Sequence, residues 1–246
     1  DLVKAELPQR FDTEKEAQEF LESLKNASFT VGSVETNPGT RNPSAPFTTS
    51  TLQQDANSRL GFSAKATMSA AQKLYQEGKI TYMRTDSVNL SNQALAQMTE
   101  FIKKEYGEKY HQFRTFKTKN SSAQEAHEAI RPTDVKTTSA GSDSYNQKLY
   151  ELIRNRTLAS QMAPAKLEKT TVSIIISTSK YIFEAKGEVI LFDGFLRVYG
   201  GSKKDPEILP ALNSGDKLNI EYAEAKQIFA RPPARYSEGS LVKKLE

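Results

Sequence analysis

Thr171-Val172-Ser173-Ile174-Ile175-Ile176 and, a short turn later, Tyr181-Ile182-Phe183-Glu184-Ala185 decide the fold, because the period of the chain changes there. Val172, Ile174 and Ile176 alternate, as do Tyr181, Phe183 and Ala185, and side chains two apart share a face only in a strand. Val189-Ile190-Leu191-Phe192 continues as a short apolar run, and Leu218-Asn219-Ile220-Glu221-Tyr222 alternates once more. Before Pro164 the spacing is helical. Leu52 to Leu60, ended by Gly61, and a helix capped by Ser63, with Ala64, Thr67, Met68, Ala71, Leu74 and Tyr75 on one stripe and Gly78 beyond its end, form a helix-turn-helix pair. Ser91 caps a further helix through Leu95, Met98, Phe101 and Ile102, with Gly107 after it. Tyr145, Leu149, Leu152, Ile153 and Ala159 line a fourth helix, which Pro164 stops.

Towards the N-terminus, Thr13-Glu14-Lys15-Glu16 is a capping box for a short helix with Ala17, Phe20, Leu21 and Leu24 inside. Phe29 to Val34 reads as a strand, and Asn37-Pro38-Gly39-Thr40-Arg41-Asn42-Pro43 as a turn-rich boundary, with a domain entry near Pro46. The β elements therefore flank the helical block on both sides. This predicts an α+β fold: a β-rich domain over 1–45 and 166–232, a mainly helical domain inserted over 46–165, and the start of a further, truncated domain at 233–246. An insertion joined by two crossings of the chain is a natural hinge.

Composition narrows the function classes. The 246 residues are 37% hydrophobic and 26% charged, which describes a globular chain with a real core rather than a disordered one. No apolar run is long enough to cross a bilayer, and Asp1-Leu2-Val3-Lys4 has neither part of a signal peptide, so a cytoplasmic location without membrane partners is expected. With no cysteine there is no disulfide, zinc finger or thiol nucleophile, and any metal needs carboxylates or the two histidines, His111 and His127. Thirty-four Lys and Arg against thirty Asp and Glu give +4, a mild excess compatible with a polyanionic partner but shared by many proteins. The chain starts without methionine and stops at Ser240-Leu241-Val242-Lys243-Lys244-Leu245-Glu246, the start of an amphipathic helix, which reads as an excised piece of a longer protein.

Two segments concentrate chemistry. In Gly78-Lys79-Ile80-Thr81-Tyr82-Met83-Arg84-Thr85-Asp86-Ser87 an extended backbone points Tyr82, Arg84 and Asp86 the same way. A phenol can attack phosphorus, a guanidinium can fork onto two non-bridging oxygens, and a carboxylate can orient that guanidinium. A free phenol has a pKa of about 10 and costs roughly 4 kcal/mol to ionise at pH 7, so a neighbour must take its proton. The residues alone equally allow Tyr82 to be a strand aromatic packed on Ile80, with Arg84 and Asp86 a surface ion pair. The second segment is Glu125-Ala126-His127-Glu128-Ala129-Ile130-Arg131-Pro132-Thr133, where His127 can equally be an ordinary residue of a helix N-terminus; it lacks the second histidine of a zinc-protease motif.

Tyr82-Met83-Arg84-Thr85-Asp86-Ser87 resembles the active-site tyrosine motif of the type IA DNA topoisomerases, and Ala126 to Thr133 resembles a second signature of that family. Pro46-Phe47-Thr48-Thr49-Ser50-Thr51-Leu52-Gln53-Gln54, Gly61-Phe62-Ser63 and Ala71-Gln72-Lys73-Leu74-Tyr75 are similar to its intervening helices, and Arg231 to Glu238 to its re-entry into a DNA-gripping domain. The matches run in order over nearly the whole chain. The resemblance implies a toroidal multidomain enzyme of which this piece is the β-rich arch and the tyrosine-bearing domain, relaxing underwound DNA through a 5′-phosphotyrosine without ATP. By position, Tyr82 is the nucleophile, Arg84 holds the scissile phosphate and His127 contacts the backbone beside it. Arg131, Asp86, Thr49, Ser50 and Gln53 are further DNA-contact candidates. The partners implied are a single-stranded segment of DNA and the remaining domains of the same polypeptide. The family's Toprim domain binds magnesium through an Asp-x-Asp-x-Glu cluster, and no Asp-x-Asp occurs here, so the Mg2+ site is expected outside this piece, which holds no metal and is inactive alone. The alternatives are the topoisomerase part of a reverse gyrase, a non-catalytic DNA-binding module, and a tyrosine recombinase, whose 3′ linkage and residue order differ.

Overall fold

A computed structural model describes residues 2–116, 127–200 and 208–245 of the chain. It divides into two compact units, one formed by Asp1–Arg41, Lys166–Phe192 and Lys203–Pro233, the other by Asn42–Ala165, Asp193–Ser202 and Ala234–Glu246. The fold is α+β, a helical unit and an antiparallel sheet in one chain.

The first unit is the sheet. Helix α1 (Glu14–Ser23) starts at a complete capping box, with Thr13 Oγ1 accepting from Glu16 N–H and the Glu16 carboxylate accepting from Thr13 N–H at 3.1 Å. Strands β1 (Phe29–Arg41), β2 (Ala165–Ile176), β3 (Ile182–Phe192) and β4 (Lys217–Leu218) lie in the order β3-β2-β1-β4. β2 and β3 form a hairpin in which Val172 faces Ala185 and Ile174 faces Phe183. The alternation seen in the sequence is the core: Val172, Ile174, Ile176 and Ala185 are buried with Leu24, Phe29 and Val31, and Phe20, Tyr181 and Phe183 pack against them. Each such side chain contributes roughly 1.5–3 kcal/mol by leaving water.

Two expectations for this unit are corrected. The turn-rich stretch from Asn37 to Pro43 does hold the boundary between the units, between Arg41 and Asn42, but Asn37 to Arg41 are the second half of β1 and not a turn. β4 pairs only with Phe29 and Thr30, so Pro38 lies where β1 has no β4 partner. Conversely, β4 stops at Leu218, and Ile220 and Tyr222 are exposed. Alternation there has no partner strand to pair with.

The second unit is helical: α2 (Thr49–Asp55), α3 (Ala64–Gln76), α4 (Asn92–Tyr106), α5 (Ser144–Ser160) and α6 (Glu238–Leu245). α2 runs on as a π turn, Ala56–Leu60, until Gly61 at φ 70° ends it, and α3 follows at its Ser63 cap. α3 packs on α5 and α2 on α6, around fully buried Phe47, Leu52, Leu74, Leu149, Ile153 and Leu158.

The division of 166–232 as one block needs correction, because Asp193–Ser202 belongs to the helical unit. Phe195 and Tyr199 are buried there, and Tyr110 O–H donates to the Asp193 carboxylate at 2.7 Å. Tyr199 O–H donates to the Asp55 carboxylate, which also accepts from Arg156 at 3.2 Å; burial and that carboxylate push the Tyr199 phenol well up. Likewise the 234–246 segment packs into the helical unit rather than opening a separate one, with Gly239 set against the Asn57 side chain. Among the described residues the chain therefore passes between the units at 41/42, 165/166, 192/193 and 233/234, more often than a two-crossing hinge requires.

Candidate active site

Three short segments of the helical unit are sewn together by backbone bonds. α3 closes with Gly78 N–H on Tyr75 O at 2.9 Å and Lys79 N–H on Leu74 O at 2.8 Å, and Gly78 takes the left-handed φ of 69° that this turn needs. The chain then runs back as an extended strand beside the second motif. Ile80 pairs with Pro132, Thr81 N–H donates to Arg131 O at 2.9 Å, and Thr133 N–H donates to Lys79 O at 3.0 Å. Thr81 doubles the seam: its hydroxyl donates to Ala129 O at 2.7 Å and accepts from Arg131 N–H at 3.0 Å. On the other flank Ile130 N–H donates to Phe47 O at 2.8 Å, and Thr49 N–H to Thr85 O at 2.9 Å.

This seam alternates strictly. Met83, Thr85 and Ser87 are buried, and Tyr82, Arg84 and Asp86 are exposed. The shared face expected from the sequence is therefore present, and it points to solvent. Ile80 is buried while Tyr82 is 47% exposed, its ring edge-on to Tyr75 at 5.2 Å and 67°, so Tyr82 does not pack on Ile80 as a core aromatic. Among the described residues no ion pair joins Arg84 to Asp86.

The remaining candidates are placed differently. Thr49 holds the tyrosine segment itself: its hydroxyl donates to Met83 O at 2.8 Å and accepts from Thr85 N–H at 2.9 Å. Ser50 accepts from the Gln54 amide at 3.0 Å, and Gln53 is half-buried on the same helix. His127 is exposed on non-helical backbone; Glu125 and Ala126 of its motif lie outside the described residues. Arg131, only 15% exposed in its side chain, gives Nη2 to Glu128 Oε2 at 2.7 Å, Nε to Glu128 Oε1 at 3.3 Å and Nη1 to Pro132 O at 3.0 Å.

Glu128 is the residue that sequence reasoning passed over. Its Oε1 also accepts from Ser91 N–H at 2.6 Å, at the start of α4, so one carboxylate clamps the second motif to a helix N-terminus. Burial works to raise its pKa, but the Arg131 guanidinium and Ser91 outweigh this and hold it below the usual carboxylate value. Tyr75 was read as part of the α3 core stripe; it is 40% exposed and lies against Tyr82. The glycine between them, reversing the chain, was the available signal.

Among the described residues no three His, Asp or Glu side chains converge, and His111 is engaged with Thr99 at 3.0 Å. No helix among the described residues is long and apolar enough to cross a membrane.

The sequence model of the DNA topoisomerase family matches residues 3–246. The chain belongs to the type IA DNA topoisomerases. It is 47% identical over 91% of its length to DNA topoisomerase 1 of Zymomonas mobilis, and 46% identical over 95% to that of Vibrio cholerae. It spans only 19% and 27% of those two topoisomerases. A solved structure of full-length topoisomerase I from Thermotoga maritima superimposes on 99% of the chain with a TM-score of 0.78 at 33% identity, and the chain covers 41% of that topoisomerase.

Proposed function

We propose that this chain is the tyrosine-bearing part of a longer type IA topoisomerase that breaks and rejoins one DNA strand through Tyr82. The observation that carries the reading is the outward row of Tyr82, Arg84 and Asp86 over the buried row of Met83, Thr85 and Ser87. The phenol oxygen, once deprotonated, attacks phosphorus and displaces the 3′ oxygen of the neighbouring nucleotide, leaving a 5′-phosphotyrosine and a free 3′ hydroxyl. The reverse attack reseals the strand, so the bond energy is conserved and no ATP is needed. Arg84, free of an ion pair among the described residues, is suited to neutralise the charge that grows on the phosphate oxygens. His127, exposed one residue from the clamped Glu128, is suited to contact the backbone nearby.

The proton acceptor and the magnesium ion belong, in this reading, to a Toprim domain elsewhere in the polypeptide, and the bound partner is a single-stranded segment of underwound DNA in the cytoplasm. The chain alone then lacks half of its site. With magnesium and negatively supercoiled plasmid it should show no relaxation, and robust relaxation by the chain alone would overturn the split site.

The deciding experiment uses the longer polypeptide. A single-stranded oligonucleotide labelled at either end is mixed with wild type and with Tyr82→Phe, and covalent adducts are trapped with detergent. Wild type should retain the strand on the 3′ side of the break through its 5′ phosphate, and Tyr82→Phe should trap nothing. A 3′-phosphate adduct, or an adduct formed by Tyr82→Phe, refutes the proposal.

A further inference from the structure

Tyr82 carries its reactive group at the end of a side chain that is nearly half exposed, on a strand whose backbone is fixed from both sides. Fixing the backbone does not fix the phenol. An exposed tyrosine can sample three χ1 wells, and only one orientation places the oxygen in line with a given phosphorus. Something must select it.

Among the described residues, Tyr75 is the aromatic ring against Tyr82, at 5.2 Å between centroids and 67° between planes, an edge-to-face arrangement. Tyr75 is held in its turn. It occupies the last turn of α3, the neighbouring Leu74 is fully buried, and the carbonyls of both residues accept the two bonds that close the helix at Gly78. Seven positions separate the two rings, and the left-handed Gly78 folds the chain back so that they meet. The helical backbone of Tyr75 disfavours one of its three χ1 wells, so its ring is a more restricted side wall for a Tyr82 ring that would otherwise sample all three.

We infer that Tyr75 is a positioning residue that selects the attacking orientation of the Tyr82 phenol. The inference rests on the proposed cleavage by Tyr82. It assigns the work to the Tyr75 ring and not to its hydroxyl, because the contact is ring to ring. Loss of an edge-to-face contact, with the freed rotamers, slows attack by about threefold to tenfold.

The test compares Tyr75→Phe and Tyr75→Leu in the longer polypeptide, by single-turnover cleavage of a single-stranded oligonucleotide. Affinity for that oligonucleotide is measured in a Tyr82→Phe background, where it cannot be cut. Phe should cleave as wild type. Leu should cleave about threefold to tenfold more slowly, with unchanged affinity and thermal midpoint. A wild-type rate for Leu overturns the inference, and so does a fall in rate matched by an equal fall in affinity, which would make Tyr75 a platform for a DNA base. A second readout needs no activity: in the 246-residue chain with labelled tyrosine, the Tyr82 ring protons should lose their ring-current shift in Tyr75→Leu and keep it in Tyr75→Phe. No change in Leu overturns the inference. A covalent adduct that still forms in Tyr82→Phe would instead refute the cleavage reading and leave the ring-current result standing, so the two failures are distinguishable.

Discussion

Thr49→Val isolates the strap that holds the tyrosine segment, because valine keeps the shape of threonine and removes only its hydroxyl. In the wild type that hydroxyl donates to Met83 O at 2.8 Å, lies 3.1 Å from Thr85 O and accepts from Thr85 N–H at 2.9 Å. Thr85 O keeps a donor in Thr49 N–H, but Thr85 N–H, on a residue only 8% exposed, loses its acceptor. An unsatisfied buried donor costs about 1–3 kcal/mol, and the added methyl recovers less than about 1 kcal/mol, so the net loss is about 1–2 kcal/mol. For a unit of this size each kcal/mol lowers the thermal midpoint by about 2–4 °C, which predicts a fall of about 2–8 °C. Thr49→Ser should recover most of it. The assay is thermal unfolding of the chain by circular dichroism, with single-turnover cleavage by the longer polypeptide alongside; cleavage should fall with the midpoint, since residues 82–86 lose the bond that fixes their backbone. A midpoint within about 1 °C of wild type, together with weakened binding of single-stranded DNA, would make Thr49 a DNA contact and refute the strap.

Arg84→Lys in the longer polypeptide should cleave about a hundred- to a thousandfold more slowly with its thermal midpoint unchanged, because an ammonium keeps the charge but not the two-pronged geometry; near-normal cleavage refutes the fork. Glu128→Gln should destabilise the chain at neutral pH by about 1–3 kcal/mol, since the Arg131 guanidinium loses its carboxylate. Because the Glu128 carboxyl is held below its ordinary value, its contribution is present above the unfolded pKa of about 4.3 and is lost as pH falls through the lower folded value. The gap between the wild-type and Gln melting midpoints should therefore narrow below about pH 4, and a gap that widens there refutes the assignment. Gly194→Ala should lower the midpoint by more than about 4 °C, because φ is 51° and a Cβ would lie 2.4 Å from Ala163 O and 2.5 Å from Pro164 O; a change under about 1 °C refutes the close fit.

Local signals were legible where the local partner decides the structure. The caps at Thr13, Ser63 and Ser91 and the stops at Gly61 and Gly78 are set within a few residues, and all lie where the periodicity places them. The hairpin of β2 and β3 was legible for the same reason, as two alternating runs joined by a short turn. Elements whose fate depends on a distant partner were not. Pro38 and Gly39 carry turn chemistry, yet they extend because β2 is there to pair with. Ile220 and Tyr222 alternate, yet among the described residues they lie outside any strand, because β1 starts at Phe29, opposite Leu218, and the register runs off its end.

The candidate site follows the same division. That Tyr82, Arg84 and Asp86 share a face is a property of any extended chain, and the sequence alone suffices for it. Which way the face points is decided by what the other row meets: Thr49 binds the backbone of Met83 and Thr85, and the Thr85 hydroxyl accepts from Ser87 N–H, on a row that is buried throughout. Thr49 and Arg131 were singled out as hands for DNA, but their polar groups are engaged in holding the backbone of the site. The exposed groups at Tyr82, Arg84, Asp86 and His127 are those left without such duties. Under the proposed function, this division of labour would let a chain with a net charge of only +4 handle a phosphate. Its selectivity would come from the placement of single groups on a stiff seam, and a field spread over the whole surface is not required.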